Sequence, residues 1–576
     1  MPDVTRLLAG RLQAAFDTVS PGADPVLRPS ERADYQANGA LALARQLGRH
    51  PREVAETVVA AADLADVCER VEVSGPGFVN LVLADDFVER QVALMARDGR
   101  LGVEPATRPE LVVVTYSAPN VAKEMHVGHL RSTVIGDALC RMLAHVGHEV
   151  VRENHIGDWG TPFGMLIEHL VDLGEEKAVH ELSVGDLNAF YREARAAFDA
   201  SEELRDRSRR RVVLLQSGDA ETLRLWRVLV DESIAYFDEV YAKLGVLLTD
   251  DDVRGESFYN PLLPSVVADL ADKGLLVEDA GARCVFPPGF ANRQGDPLPL
   301  IVQKSDEGYG YAATDLAAIR DRVGRIGATR LLYVVGAPQA QHFEMVFAVA
   351  RMAGWLPEGA TAEHVAFGSV LGRDHRMLRT RSGESVRLVE LLDEAVERAR
   401  AAMAERDAGV PEEERTAVAR ALGIGAVKYA DLSTDRTRDY VFDWDRMLAF
   451  EGDTGPYLQY AHARIRSIFR RASAEPPGVP EVARVRVAAP EERSLAMALL
   501  GYAPAVHAAV EGSAPSKLCA YLYGLATAFT TFYERCPVLR APDRDTRGSR
   551  LVLADTTARV LAEGLGLLGI EAPQQM

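Results

Sequence analysis

The chain has 576 residues, enough at roughly 150 residues per domain for several cores, and its 48% hydrophobic and 26% charged composition is that of a globular protein, not a disordered or fibrous one. A net charge of −19 excludes nucleic-acid binding by bulk electrostatics and leaves only a local basic face for such a partner. No uninterrupted apolar run reaches the ~18 residues of a membrane span, the first residues lack a signal-peptide layout, and five scattered cysteines without a CxxC pair predict reduced thiols and a cytoplasmic location.

Residues 1–106 mix helices with short strands. Arg52–Ala61 carries apolar residues at helical spacing, and residues 71–83 read as two strands about the Gly75-Pro76-Gly77 turn. From about residue 110 the pattern turns α/β. Leu111–Tyr116 is a continuous apolar run, as a buried parallel strand requires. A helix follows from about Val127 to Ala144, stopped near Gly147, and Glu149–Asn154 supplies the next strand of a β-α-β unit. Residues of about 170–250 are charged and helical and are expected to insert between two halves of the sheet. Leu331–Val335 and the helix after Gln341 repeat the strand–helix theme. Beyond about 410 strand signals fade and apolar residues recur at helical spacing, which predicts an all-α bundle broken by the Pro-rich stretch Glu475–Pro480. The expected architecture is an α+β domain over 1–106, a Rossmann-type α/β domain over 107–405 and an all-α domain over 406–576.

His126-Val127-Gly128-His129 lies between the buried strand and the helix. Gly128 lets a ligand approach the backbone, the helix start offers free N–H groups to phosphate, and the histidines can donate hydrogen bonds to it. Alone, the pair also describes a surface pair or two zinc ligands, although no Cys or catalytic Glu accompanies it. Arg376–Gly383, after Gly368-Ser369-Val370-Leu371-Gly372, is a glycine-flanked basic loop able to fold over phosphates, or else a solvated charged turn. Tyr311 and Asp315, four apart, share one helix face. An aromatic face with a carboxylate suits a planar, always-charged guanidinium, although ordinary helix surfaces carry the same spacing.

The whole stretch Ser117–Thr133 (SAPNVAKEMHVGHLRST) closely resembles the signature of arginyl-tRNA synthetases, with His-Val-Gly-His as the class I HIGH motif, and Asn154–Gly164 resembles the family's GDWG segment. The likeness runs over essentially the whole chain in order. It implies a class I catalytic domain between an N-terminal additional domain and a C-terminal anticodon-binding bundle. It implies activation of arginine by ATP and transfer to tRNA(Arg), with tRNA needed even for the first step. Magnesium is expected to arrive with ATP, with no tightly bound cofactor, no protein metal site, no membrane partner and a monomeric enzyme.

By the same resemblance, His126, His129 and Lys123 are catalytic, and Arg379 and Arg381 stand in the place of the KMSKS loop, Lys123 compensating for its missing lysine. Gly128, Gly157, Asp158, Phe367, Gly368 and Val370 would line ATP, and Ser117, Asn120, Glu256, Tyr311, Asp315 and Gln339 would hold arginine. Phe78 and Asn80 would meet the D-loop at the tRNA elbow, although Phe78 equally fits plain core. Tyr457, Tyr460 and Arg464, on one helix face, would meet the anticodon together with Tyr533 and Met576. One departure is Thr115, where the family carries an acid. A lost charge-assisted contact is worth ~1.5–3 kcal/mol, which raises the alternative of a specialised copy serving a biosynthetic pathway or resisting an arginine analogue. A non-catalytic RNA-binding descendant is disfavoured by the intact His126, Gly128, His129 and Lys123.

Overall fold

The computed structural model describes residues 3–174, 187–305, 308–379, 386–405, 412–474 and 484–576. Arg381 and the Pro-rich stretch at 475–480 lie outside the described residues. The chain forms two compact units. One combines Met1–Pro105, Phe450–Gly566 and Glu571–Met576, and the other combines Ala106–Ala449 and Leu567–Ile570.

In the first unit, Leu27–Pro29, Tyr35–Ala37, Phe78–Leu83 and Cys68–Ser74 lie side by side in that order as an antiparallel sheet. Along Phe78–Leu83 burial alternates. Val79, Leu81 and Leu83 are buried, while Phe78, Asn80 and Val82 take the other face. The helices Gly455–Ala474, Pro490–Leu500, Tyr502–Glu511, Pro515–Arg535 and Arg544–Leu567 form the expected bundle. Arg493 joins it to the amino-terminal part, with two 2.9 Å bonds to Asp34 and one of 2.7 Å to Asp85. Pro490–Glu511 is long and apolar enough by length and composition alone to cross a membrane, although charged and polar residues interrupt it. Its most apolar stretch is 56% buried inside the protein, and Gly501 separates its two helices.

The second unit is built on the parallel strands β1 (Leu111–Thr115), β2 (Glu149–Glu153), β3 (Arg330–Tyr333) and β4 (Thr361–His364), in the order β4-β3-β1-β2. Helix α1 (Val127–His145) carries the chain from β1 to β2. The strand order reverses between β1 and β3, the place where an open parallel sheet leaves a crevice at its carboxyl edge. Thr115 ends β1 there, opposite Glu153 and Tyr333. The inserted helices include α2 (Leu187–Ala200), Glu202–Ser217 and α3 (Ala220–Leu244), followed later by α4 (Tyr311–Asp321) and α5 (Ala340–Met352).

The bundle begins later than expected, because residues 412–449 pack with the α/β unit. Buried polar groups hold them there. Asp431 lies 3.2 Å from the Arg131 guanidinium of α1, and Lys428 donates to the Leu244 carbonyl at 2.9 Å and the Gly569 carbonyl at 2.7 Å.

Candidate active site

The loop from β1 to α1 carries three non-glycine residues in the left-handed region: Ser117 (φ 68°), Ala118 (φ 50°) and Ala122 (φ 57°). Such conformations persist only where the surroundings over-determine them. Here three backbone N–H groups are held by side chains of other elements: Ser117 by Ser132 Oγ at 2.9 Å, Ala118 by Asn154 Oδ1 at 3.1 Å and Ala122 by Ser233 Oγ at 2.9 Å. The Ser117 hydroxyl is itself buried between Thr133 Oγ1 at 3.0 Å and Tyr241 Oη at 2.8 Å. The structure thus places Ser117 in the support of the loop, with its hydroxyl already engaged.

The loop delivers His126 to the N-cap of α1. His126 Nδ1 accepts the Gly128 N–H at 3.0 Å, and His129 Nδ1 accepts the His126 N–H at 3.1 Å. Burial, then Lys123, lowers the His126 pKa. Burial, then His126, lowers that of His129 to about 3. Both rings are therefore neutral near pH 7. Since each Nδ1 accepts, each proton sits on Nε2, and the pair presents two N–H donors at a helix N-terminus.

Beside them is a cavity of about 430 Å³ lined in part by Lys123, His126, His129, Tyr191 and Arg387. The described residues flanking the basic loop meet this place from one side. Residues on its near side form a hairpin, with Gly372 N–H bonded to Arg376 O at 2.8 Å. On its far side Val127 N–H bonds Val386 O at 3.0 Å and Leu388 N–H bonds Met125 O at 2.9 Å. The described residues on the two sides of 380–385 are thus tied to the hairpin at one end and to the backbone of the His126 turn at the other.

A second group of residues gathers at the same sheet edge. Gly157 pairs with Asn120 across the two loops, its N–H bonding Pro119 O at 3.0 Å and its carbonyl accepting from Val121 at 3.1 Å. A Cβ at 157 would lie 2.3 Å from Asn120 Oδ1, so only glycine leaves the Asn120 side chain in place. Asp158 accepts from Ser257 N–H at 2.8 Å and Ser257 Oγ at 2.6 Å. It is buried and supports the turn carrying Glu256. Burial, then Asp158 and Asp315, pushes Glu256 up to about 8. Asp315, on α4, pairs with His342 Nε2 at 2.6 Å, and this bond raises the His342 pKa. Tyr311 opens α4 with 77% of its surface exposed, and Gln339, also exposed, precedes α5. The Phe367 carbonyl accepts from Ala337 at 2.9 Å, and Gly368 N–H bonds Arg436 O at 2.9 Å. Val370 starts a strand that pairs with Tyr440.

At the carboxyl end of β1, Thr115 is buried. The acid opposite it on β2, Glu153, is bound by Arg322 at 2.6 Å, and the Arg322 guanidinium lies 5.1 Å from the Tyr333 ring centroid. Sequence reasoning missed His342, Tyr191, Arg387 and this Glu153–Arg322 pair. Only His342 had a local signal, three residues after Gln339 on the same helical face.

In the first unit, Phe78 is half-buried on the outer sheet face, opposite Ser74. Asn80 on that face donates to Ser74 Oγ at 2.8 Å and accepts from Gln36 at 2.8 Å. On Gly455–Ala474, Tyr457 packs edge-on against Tyr523, Tyr460 is 40% exposed, and the Arg464 guanidinium lies 4.6 Å from the Tyr533 ring. The C-terminal tail runs along another face of this helix. Gln459 donates to Glu571 O at 2.7 Å, His462 lies 2.9 Å from Pro573 O, and Arg470 donates to Gln574 O at 2.9 Å. Positions 459, 462 and 470 lie about half a turn from 457, 460 and 464. Met576 follows two residues after Gln574.

Three family models match the chain: tRNA synthetases class I (R), catalytic domain, over residues 91–444; the DALR anticodon binding domain over 458–576; and the arginyl tRNA synthetase N terminal domain over 3–83. The arginine–tRNA ligase of Thermobifida fusca is 55% identical and that of Laribacter hongkongensis 48% identical, each over 100% of both chains. Among solved structures, the arginyl-tRNA synthetase of Plasmodium falciparum aligns with a TM-score of 0.87 at 29% identity, and that of Thermus thermophilus with 0.82 at 26%, each covering 100% of both chains. With the first of these models spanning more than half of its length and relatives matching from end to end, the chain belongs to the arginyl-tRNA synthetases of class I.

Proposed function

We propose that the chain is an arginine–tRNA ligase acting in translation. The observation that carries this reading is the meeting, at one edge of a parallel sheet, of two neutral Nε2–H donors at a helix start and an acidic pocket around Glu256 and Asp315. The first suits phosphate, the second a guanidinium. The alternative of a specialised copy, raised by Thr115, rests on no observation in the structure or the comparisons.

Arginine enters with its guanidinium toward Asp315, Glu256, Tyr311 and Gln339 and its amino-acid head near Asn120. ATP lies along Gly128, Gly157 and the Phe367–Val370 segment, with magnesium arriving as its counter-ion. A carboxylate oxygen of arginine attacks the α-phosphorus. The bond to the bridging oxygen breaks, and pyrophosphate leaves with the electron pair. His126 and His129 donate to the phosphate oxygens as charge shifts, and Lys123, Arg379 and Arg381 supply positive charge around them. The terminal ribose hydroxyl of tRNA then attacks the arginyl carbonyl and AMP departs. Phe78 and Asn80 face the tRNA elbow, and Tyr457, Tyr460, Arg464, Tyr533 and Met576 the anticodon. The enzyme works as a cytoplasmic monomer.

The test is ATP–pyrophosphate exchange with each of the twenty amino acids, with and without tRNA. Exchange with arginine that requires tRNA is expected. Exchange supported by a different amino acid overturns the specificity, and full exchange without tRNA overturns the proposed need for tRNA in the first step.

A further inference from the structure

The charge of Lys123 is held in an unusual way. Its Nζ lies 4.4 Å from the ring centroid of Tyr191 on α2. Among the described residues no carboxylate forms an ion pair with it. The adjacent Glu124 is taken up elsewhere, by Arg387 at 2.9 Å and by Asn188 Nδ2 at 3.1 Å. A carboxylate partner would hold the ammonium still but cancel its charge. An aromatic face holds it and leaves the charge available to an anion.

Helix α2 is set in place for this. Asn188 accepts the Glu124 N–H at 3.2 Å while donating to the Glu124 carboxylate, and Phe190 is buried with its ring 4.9 Å from that of His169. Tyr191 follows three residues after Asn188, one turn along the same face. Lys123 and Tyr191 share the cavity lined by His126 and His129. We propose that Tyr191 is a positioning residue, aiming the Lys123 ammonium at the phosphates that depart as pyrophosphate. This rests on the reading of Lys123 given above.

Arginine-dependent ATP–pyrophosphate exchange, in the presence of tRNA, tests it on Tyr191→Phe, Tyr191→Leu, Lys123→Ala and the Lys123→Ala/Tyr191→Leu double variant. Tyr191→Leu should lower kcat about five- to tenfold with little change in KM for arginine, and Tyr191→Phe, which keeps the ring, should stay within about twofold of the parent. In the Lys123→Ala background the Leu change should cost less than about twofold, because its effect runs through the lysine. Comparing the two backgrounds also divides out any general loss of folded protein. A full additional loss in the Lys123→Ala background overturns the proposal, as does equal damage from Phe and Leu. If Lys123→Ala alone keeps parental turnover, the fault lies in the role of Lys123 itself.

Discussion

The proposed role of His126 and His129 as uncharged donors has a kinetic consequence. Because burial lowers both pKa values, and that of His129 to about 3, neither ring titrates at its ordinary value near 6.5. His129→Ala should lower kcat about a hundredfold, as expected for a lost donor to developing charge, with KM for arginine within about twofold. The parent kcat–pH profile should show no limb near 6.5 that vanishes in this variant, and such a limb would refute the neutral assignment. The proposed arginine pocket behaves in the opposite way. Glu256, at about 8, is largely protonated at neutral pH in the empty site, and Asp315 is paired with His342 at 2.6 Å, a bond that raises the His342 pKa. Binding a guanidinium favours the ionised carboxylate and releases protons. KM for arginine should therefore fall as pH rises toward about 8, by up to about tenfold per unit. Glu256→Gln should flatten that slope, and a pH-independent KM in the parent would sink the idea. Of these residues, the histidine pair was legible in sequence because strand, glycine and helix start adjoin locally. His342 offered only its spacing from Gln339, because its partner Asp315 is 27 residues away and on another helix.

At the scale of elements, the sheet was readable because buried parallel strands must be continuously apolar, and the observed β1, β2 and α1 lie within a few residues of expectation. The start of the bundle was not, since an apolar stripe on a helix does not say what covers it. The choice was made by long-range charge, such as Arg131 with Asp431, 300 residues apart. Glu153 and Arg322 act likewise between β2 and the end of α4. Both side chains are almost wholly buried. Removing one partner strands the other charge, so Arg322→Met should cost about 3–5 kcal/mol of stability. Restoring neutrality with Glu153→Gln in the same protein should recover part of the loss. Denaturant unfolding of the three proteins measures this, and an Arg322→Met variant as stable as the parent would show the pair to be dispensable.

At the scale of the whole molecule, both units are made from pieces distant in sequence. Residues 567–570 belong with the α/β unit while those on either side belong with the other. Gly569 marks the crossing. Its φ is +68°, and a Cβ there would lie 2.7 Å from Lys428 Nζ and 2.9 Å from Asp137 Oδ2. Gly569→Ala should therefore cost about 1–3 kcal/mol, read as a lowered Tm, although no proposed substrate contact is altered. An unchanged Tm would mean that the strip is not fixed where it lies.

Synthesis proceeds from the amino end, and this gives the division into units a cost during translation. The first 105 residues leave the ribosome long before residues 450–566, the helices that complete their unit, have been made. The α/β unit in turn lacks residues 567–570 until they too have been made. A nascent chain stalled before residue 570 thus has neither unit complete, and its uncovered apolar faces mark it for chaperones and proteases.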